Sequence, residues 1–117
     1  MSQLELLDGI SEASTLDEVQ EYINTVIEMR GFAEESLLEM MLLLLEETGE
    51  LAKAVRKTAT KMSMDPDKQQ NYGTVESEAA DVFIVLLSIC NKLGINLLTA
   101  LKNKEAENCK RNWTFER

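Results

Sequence analysis

The sequence predicts an all-α domain, a four-helix bundle that needs further copies of itself to close. Three observations predict it. Leu, Glu, Ala and Lys abound, whereas the 117 residues hold only five glycines and one proline, Pro66, and such a balance favours helix. Apolar residues recur at helical spacing along most of the chain, and no stretch alternates as a strand would. Finally, Leu37 to Leu45 is apolar nearly all round except for Glu39. A helix of that kind must be covered on every side. One chain of this length offers few helices to do so, and a homo-oligomer interface is therefore expected there.

The elements follow in order. Thr15-Leu-Asp-Glu18 has the form of a capping box, and Val19, Ile23, Val26 and Ile27 continue it at helical spacing until Gly31, a natural stop. A second helix is expected from about Ala33 to about Ala59. Thr60 to Gly73 carries Pro66, Gly73 and many polar residues without a sustained period, which predicts a long loop of the kind that often has a function. A third helix is expected from about Thr74 to Leu93, where Gly94 breaks it. Asn96 can then cap a fourth, from Leu97 to roughly Asn112. No repeat or composition shift divides residues 1–117, so they read as one domain.

Composition removes several classes of function. A net charge of −9 argues against binding to a nucleic-acid polymer, which wants a basic face. The longest unbroken apolar run, Met40 to Leu45, is far too short to span a bilayer. No basic region followed by an apolar one opens the chain, and Cys90 and Cys109 lack metal-type spacing. A reduced, cytoplasmic setting is the expectation. With no histidine at all, Ser-His nucleophilic catalysis and zinc–histidine chemistry are excluded.

What remains is carboxylate chemistry. Glu46, Glu47 and Glu50 follow the most apolar stretch of the chain and stand at about 0°, 100° and 40° around a helix axis. Glu78 and Asp81 are at i and i+3 on the third helix, neighbours on one face. If the two helices pack antiparallel, four or five carboxylates converge. Such charges repel and raise one another's pKa values, and divalent cations relieve this. Ligands made only of oxygen indicate Mg²⁺ or Mn²⁺. The ordinary alternative is a solvated acidic face paired with bases such as Lys53 or Lys57. On the fourth helix, Lys104, Asn108 and Arg111 form one stripe with Lys110 alongside and Trp113 beyond. Such cations either complement the helix C-terminus or clamp a polyphosphate.

EETGE (Glu46 to Glu50) and, after 27 intervening residues, EAAD (Glu78 to Asp81) resemble the Glu-Glu-x-x-Glu … Glu-x-x-Asp signature of the MazG-like all-α nucleoside triphosphate pyrophosphohydrolases. DVFIVLLSICNKLGINL (Asp81 to Leu97) is similar to that family's third helix and its Asn-x-Leu-Gly-Ile corner, and KEAENCKRNW (Lys104 to Trp113) to its Lys-x-x-x-Asn-x-x-Arg ending. The resemblance covers roughly residues 33 to 113. It implies a homodimer, or a tetramer made as a dimer of dimers, that cleaves nucleoside triphosphates to monophosphate and pyrophosphate. By position it implies Glu47, Glu50, Glu78 and Asp81 as Mg²⁺ ligands and Glu46 as the carboxylate that orients or deprotonates the attacking water. Lys104, Asn108, Lys110 and Arg111 would contact phosphates or sugar. The aromatic base-stacking pocket of some relatives is not evident. Arg30, Phe32 and Tyr72 are the nearby candidates, and the preferred base is left open. A non-catalytic helical interaction module, or a nucleotide sensor that keeps the metal site, is the alternative.

Overall fold

The computed structural model describes residues 1–115, and every regular element among them is a helix: α1 (Gln3–Asp8), α2 (Leu16–Met29), α3 (Leu37–Ala59), α4 (Pro66–Gln69), α5 (Val75–Lys92) and α6 (Leu97–Asn108). The four long helices are those the periodicity predicts. The two short ones are additional. α1 is capped by the Ser2 hydroxyl, which accepts from the Glu5 N–H. α4 is a single turn within the Thr60–Gly73 loop, begun by Asp65 as its cap with Pro66 in the first turn, where a missing N–H costs nothing.

Local chemistry fixes the ends. At α2, the Thr15 hydroxyl accepts from the Glu18 N–H and Glu18 Oε1 accepts from the Thr15 N–H. Gly31, at φ 84°, lets the chain leave the helix, and the Phe32 N–H donates to the Ile27 carbonyl at 3.1 Å. α3 begins at Leu37 rather than near Ala33. The residues between form a turn, with the Glu35 N–H donating to the Phe32 carbonyl, and Ser36 and Glu39 then make a second capping box. Those hydrogen bonds from Ser36 hold the Glu39 carboxyl below its usual range. A depressed folded-state pKa means that the cap stabilises fully at neutral pH and fades as pH falls through that lowered value. α6 ends at Asn108, short of Asn112, because the Trp113 indole N–H donates to the Asn108 carbonyl at 2.7 Å and folds the chain back. Lys110 and Arg111 therefore lie beyond the helix that was expected to carry them.

α5 lies between α2 and α3. On one side Leu87 packs with Ile23 and Val26, flanked by Ile27, Ile84 and Leu97. On the other, Met40 packs with Val85 and Ile89, flanked by Leu43 and Leu44. Met40 opens α3 while Ile89 closes α5, so the two helices run antiparallel. The α5–α6 corner, a bend of 98°, is locked by the buried Gln20. Its amide N–H₂ donates to Asn91 Oδ1 and the Ile95 carbonyl, and its Oε1 accepts from the Leu97 N–H. An unpaired group here would cost about 1–3 kcal/mol, so this polar set specifies the corner.

The chain is extended, and much apolar surface on α3 stays open. Its radius of gyration is 17.5 Å, against about 13 Å for a compact domain of this length. Its surface is 8941 Å², against roughly 6,400 Å² for a folded monomer of this mass. Leu38, Met41, Leu42 and Leu45 on α3 are exposed. The all-round apolar helix read in the sequence is thus covered on one side only. Among the described residues no single helix is long and apolar enough to cross a membrane.

Leu87, fully buried between α2 and α5, carries the first core. Leu87→Ala is expected to lower unfolding free energy by about 2–5 kcal/mol in urea titrations; a loss below about 1 kcal/mol would contradict this packing.

Candidate active site

The antiparallel contact brings the acidic motifs of α3 and α5 together. Glu47, Glu78 and Asp81 each place a carboxylate oxygen within 4.8 Å of the other two. Glu47 and Glu78 are half-buried, and Glu46 is exposed at the edge. Burial pushes the Glu47 carboxyl up, and the charges of Asp81, Glu78, Glu46 and Glu50 push it further in the same direction. Three of the five acids read from the sequence thus meet, and the charges of Glu46 and Glu50 reach Glu47 from beside them. Glu50 is turned aside, with its Oε1 3.5 Å from Lys53 Nζ.

This donor set fits a hard divalent cation. It consists of carboxylate oxygens alone, in a chain without histidine, with both cysteines elsewhere, Cys90 buried and Cys109 exposed. Oxygens around an octahedral ion lie up to about 4 Å apart for Mg²⁺ and more for Ca²⁺, compatible with the spacing found. The mutual repulsion at Glu47 is what a bound cation would remove.

Gly73 makes room for one of these groups. A Cβ at residue 73 would collide with Glu78 Oε1, and the backbone there is not in the left-handed region. Glycine here leaves the Glu78 carboxylate the space it occupies, and any larger residue would make the end of that side chain move. Nothing in the motif spacing marks it, because the loop must fold back before the contact exists. Gly49, by contrast, has no neighbouring group within 4 Å of a built Cβ.

Two hollows flank the acids. One, about 200 Å³, is largely apolar, lined by Phe32, Met40, Leu43 and Val85 with Arg30 and Asp81 at its edge. The other runs from Glu50 past Lys53, Arg56, Lys68, Asn71 and Tyr72. The residues expected to clamp phosphates sit apart from both. Lys104 Nζ donates to Glu107 at 3.3 Å, Asn108 Nδ2 to Glu105 at 2.6 Å, and Arg111 to Asn108 at 3.4 Å, while the Arg111 guanidinium stacks 4.7 Å from the Trp113 ring. Lys110 is exposed. The hydrogen bonds that these residues make stay within their own segment, and α6 packs mainly on α2.

With that geometry in place, comparison with known proteins is decisive. The sequence model of the MazG nucleotide pyrophosphohydrolase domain matches residues 32–110. The chain belongs to the MazG family. It is a hydrolase acting on nucleotide pyrophosphate bonds. Among solved structures it is similar to YPJD from Bacillus subtilis, a candidate pyrophosphatase, with TM-score 0.73 and 26% identity over 87% of this chain and 100% of that one. No curated protein matches it in sequence. This MazG domain thus carries its acidic motifs on α3 and α5, and its fold is that of a pyrophosphatase-like relative.

Gly73→Ala is expected to keep the fold, since only the end of the Glu78 side chain must move, but to weaken divalent-cation affinity by about tenfold or more. Mn²⁺ titration beside thermal unfolding checks it; unchanged affinity would show that Glu78 does not need this room.

Proposed function

We propose that this MazG domain is a Mg²⁺-dependent hydrolase of nucleoside triphosphates, canonical or modified, that releases the nucleoside monophosphate and pyrophosphate. The convergence of Glu47, Glu78 and Asp81 carries the reading. Glu47, Glu78 and Asp81 would hold the metal, with Glu50 as a fourth ligand on turning from Lys53, and Mn²⁺ is an alternative ion. Mg²⁺, when bound, neutralises charge on the phosphates and polarises the phosphoryl group. Glu46, exposed on the flank of the cluster, orients a water and accepts its proton. The water oxygen forms a bond to the α-phosphorus. The bond from that phosphorus to the α–β bridging oxygen breaks, and its electron pair leaves with pyrophosphate.

The apolar hollow at Phe32 and Met40 is open toward Asp81, and this suits a base and sugar. By analogy with the matched ending, Lys104, Asn108, Lys110 and Arg111 contact phosphates or sugar. Since α6 packs on α2, reaching a site between α3 and α5 favours their acting from a second subunit. The excess of roughly 2,500 Å² of surface over a folded monomer of this mass is in the range that an obligate interface buries. With the exposed Leu38, Met41, Leu42 and Leu45, it supports a homodimer or a tetramer of two dimers. Free Cys90 and Cys109 suit a reducing, cytoplasmic compartment.

Incubation with a panel of ribo- and deoxyribonucleoside triphosphates and Mg²⁺ is expected to yield monophosphate and pyrophosphate from at least one. Orthophosphate and a diphosphate as the only products would contradict the reading. Glu50→Gln and Asp81→Asn should each lower turnover by about 100-fold or more while circular dichroism stays unchanged, as loss of a metal ligand requires. Near-normal turnover in both would remove these residues from the site.

A further inference from the structure

The loop between α3 and α5 builds a second feature beside the acids. Five of the chain's twelve basic residues (Lys53, Arg56, Lys57, Lys61 and Lys68) fall between positions 53 and 68, against two acids, in a protein of net charge −9. Three of them, Lys53, Arg56 and Lys68, line one groove of about 510 Å³ together with Asn71 and Tyr72, and Glu50 forms its end. The loop is drawn back onto α3 by Tyr72. Its ring lies 5.5 Å from Lys53 Nζ, and its hydroxyl meets Arg56 Nη2 at 3.5 Å. Arg56 Nε is buried and has no hydrogen-bond partner. A guanidinium N–H in that position is costly unless something accepts from it.

The charge balance of this groove is positive, because Glu50 offsets only one of three cations. Lys and Arg arranged in this way recognise phosphate oxygens through charge-assisted hydrogen bonds. The two hollows also lie in an order. The apolar one includes Asp81 in its wall and the basic one includes Glu50, so the acidic cluster lies between them. A nucleotide laid across the cluster with its base on the apolar side directs its outer phosphates to the basic side.

We propose that the groove of Lys53, Arg56, Lys68 and Tyr72 seats the β- and γ-phosphates of the substrate and so holds the departing pyrophosphate. This rests on the hydrolase reading above. Lys53 has a further part, as it pairs with Glu50 and couples the phosphate seat to the metal ligands. Lys68, on the exposed turn α4, brings the loop's own charge to the anion, and the loop is thereby part of the substrate site.

The test uses inorganic pyrophosphate with Mg²⁺ as the probe on the full chain, as a product inhibitor and by calorimetry. Lys68→Gln, exposed and harmless to folding, and Arg56→Gln are each expected to weaken pyrophosphate inhibition by about tenfold, the order set by one lost charge-assisted bond. KM for the triphosphate should rise, while inhibition by the nucleoside monophosphate stays within about twofold, since it lacks the outer phosphates. Unchanged pyrophosphate inhibition in Lys68→Gln, or an equal loss for the monophosphate, overturns the proposal. If the wild-type chain hydrolyses no triphosphate yet binds Mg²⁺–pyrophosphate, and Lys68→Gln loses that binding, the groove stands and the proposed reaction falls. Sulfate binding equal to that of pyrophosphate would reduce the groove to a general anion site and also overturn the assignment.

Discussion

The contact between α3 and α5 is the constraint on which the molecule depends. Met40 against Val85 and Ile89 sets the register of two antiparallel helices, and that register carries Glu47 to Glu78 and Asp81. Hydrophobic packing at one end of the pair therefore forces like charges together at the other. The cost is visible at Glu47, whose carboxyl is pushed up by burial first and then by all four neighbouring acids. Mutual repulsion of this kind works against the bare fold at neutral pH, and a divalent cation bound here would relieve it.

The same pair leaves α3 unfinished. Its Met40 side is covered by α5, and its Leu38, Leu42 and Leu45 side is open. This helix, apolar around most of its circumference from Leu37 to Leu45, adds its open side to the large surface of an extended chain. Gln20 closes the remaining structural problem by fixing the α5–α6 corner with three of its own hydrogen bonds.

Much of this is legible in the sequence. The acids at 46, 47, 50, 78 and 81 could be placed on two facing helices because helical spacing is periodic and antiparallel packing was the simple choice. The Thr15–Glu18 box was readable for the same reason. The equivalent Ser36–Glu39 box lies in the sequence too, directly before the apolar run that opens at Leu37, and it marks where α3 starts. The end of α6 is not marked in the sequence, because its residues are polar and carry no period, and the turn bonds of Lys110 and Arg111 with the Trp113 indole on the Asn108 carbonyl close it. Gly73 and Arg56 were beyond reach. Their roles arise when a loop without periodicity returns to α3, and no local pattern encodes that contact.

The central claim is that packing concentrates these carboxylates for a divalent cation. Titration of the metal-free protein with Mn²⁺, followed by electron paramagnetic resonance, tests it most directly. The account predicts saturable binding that Mg²⁺ displaces and that Glu47→Gln and Asp81→Asn each weaken strongly. Binding that is non-saturable, or equally strong in both variants, would contradict it.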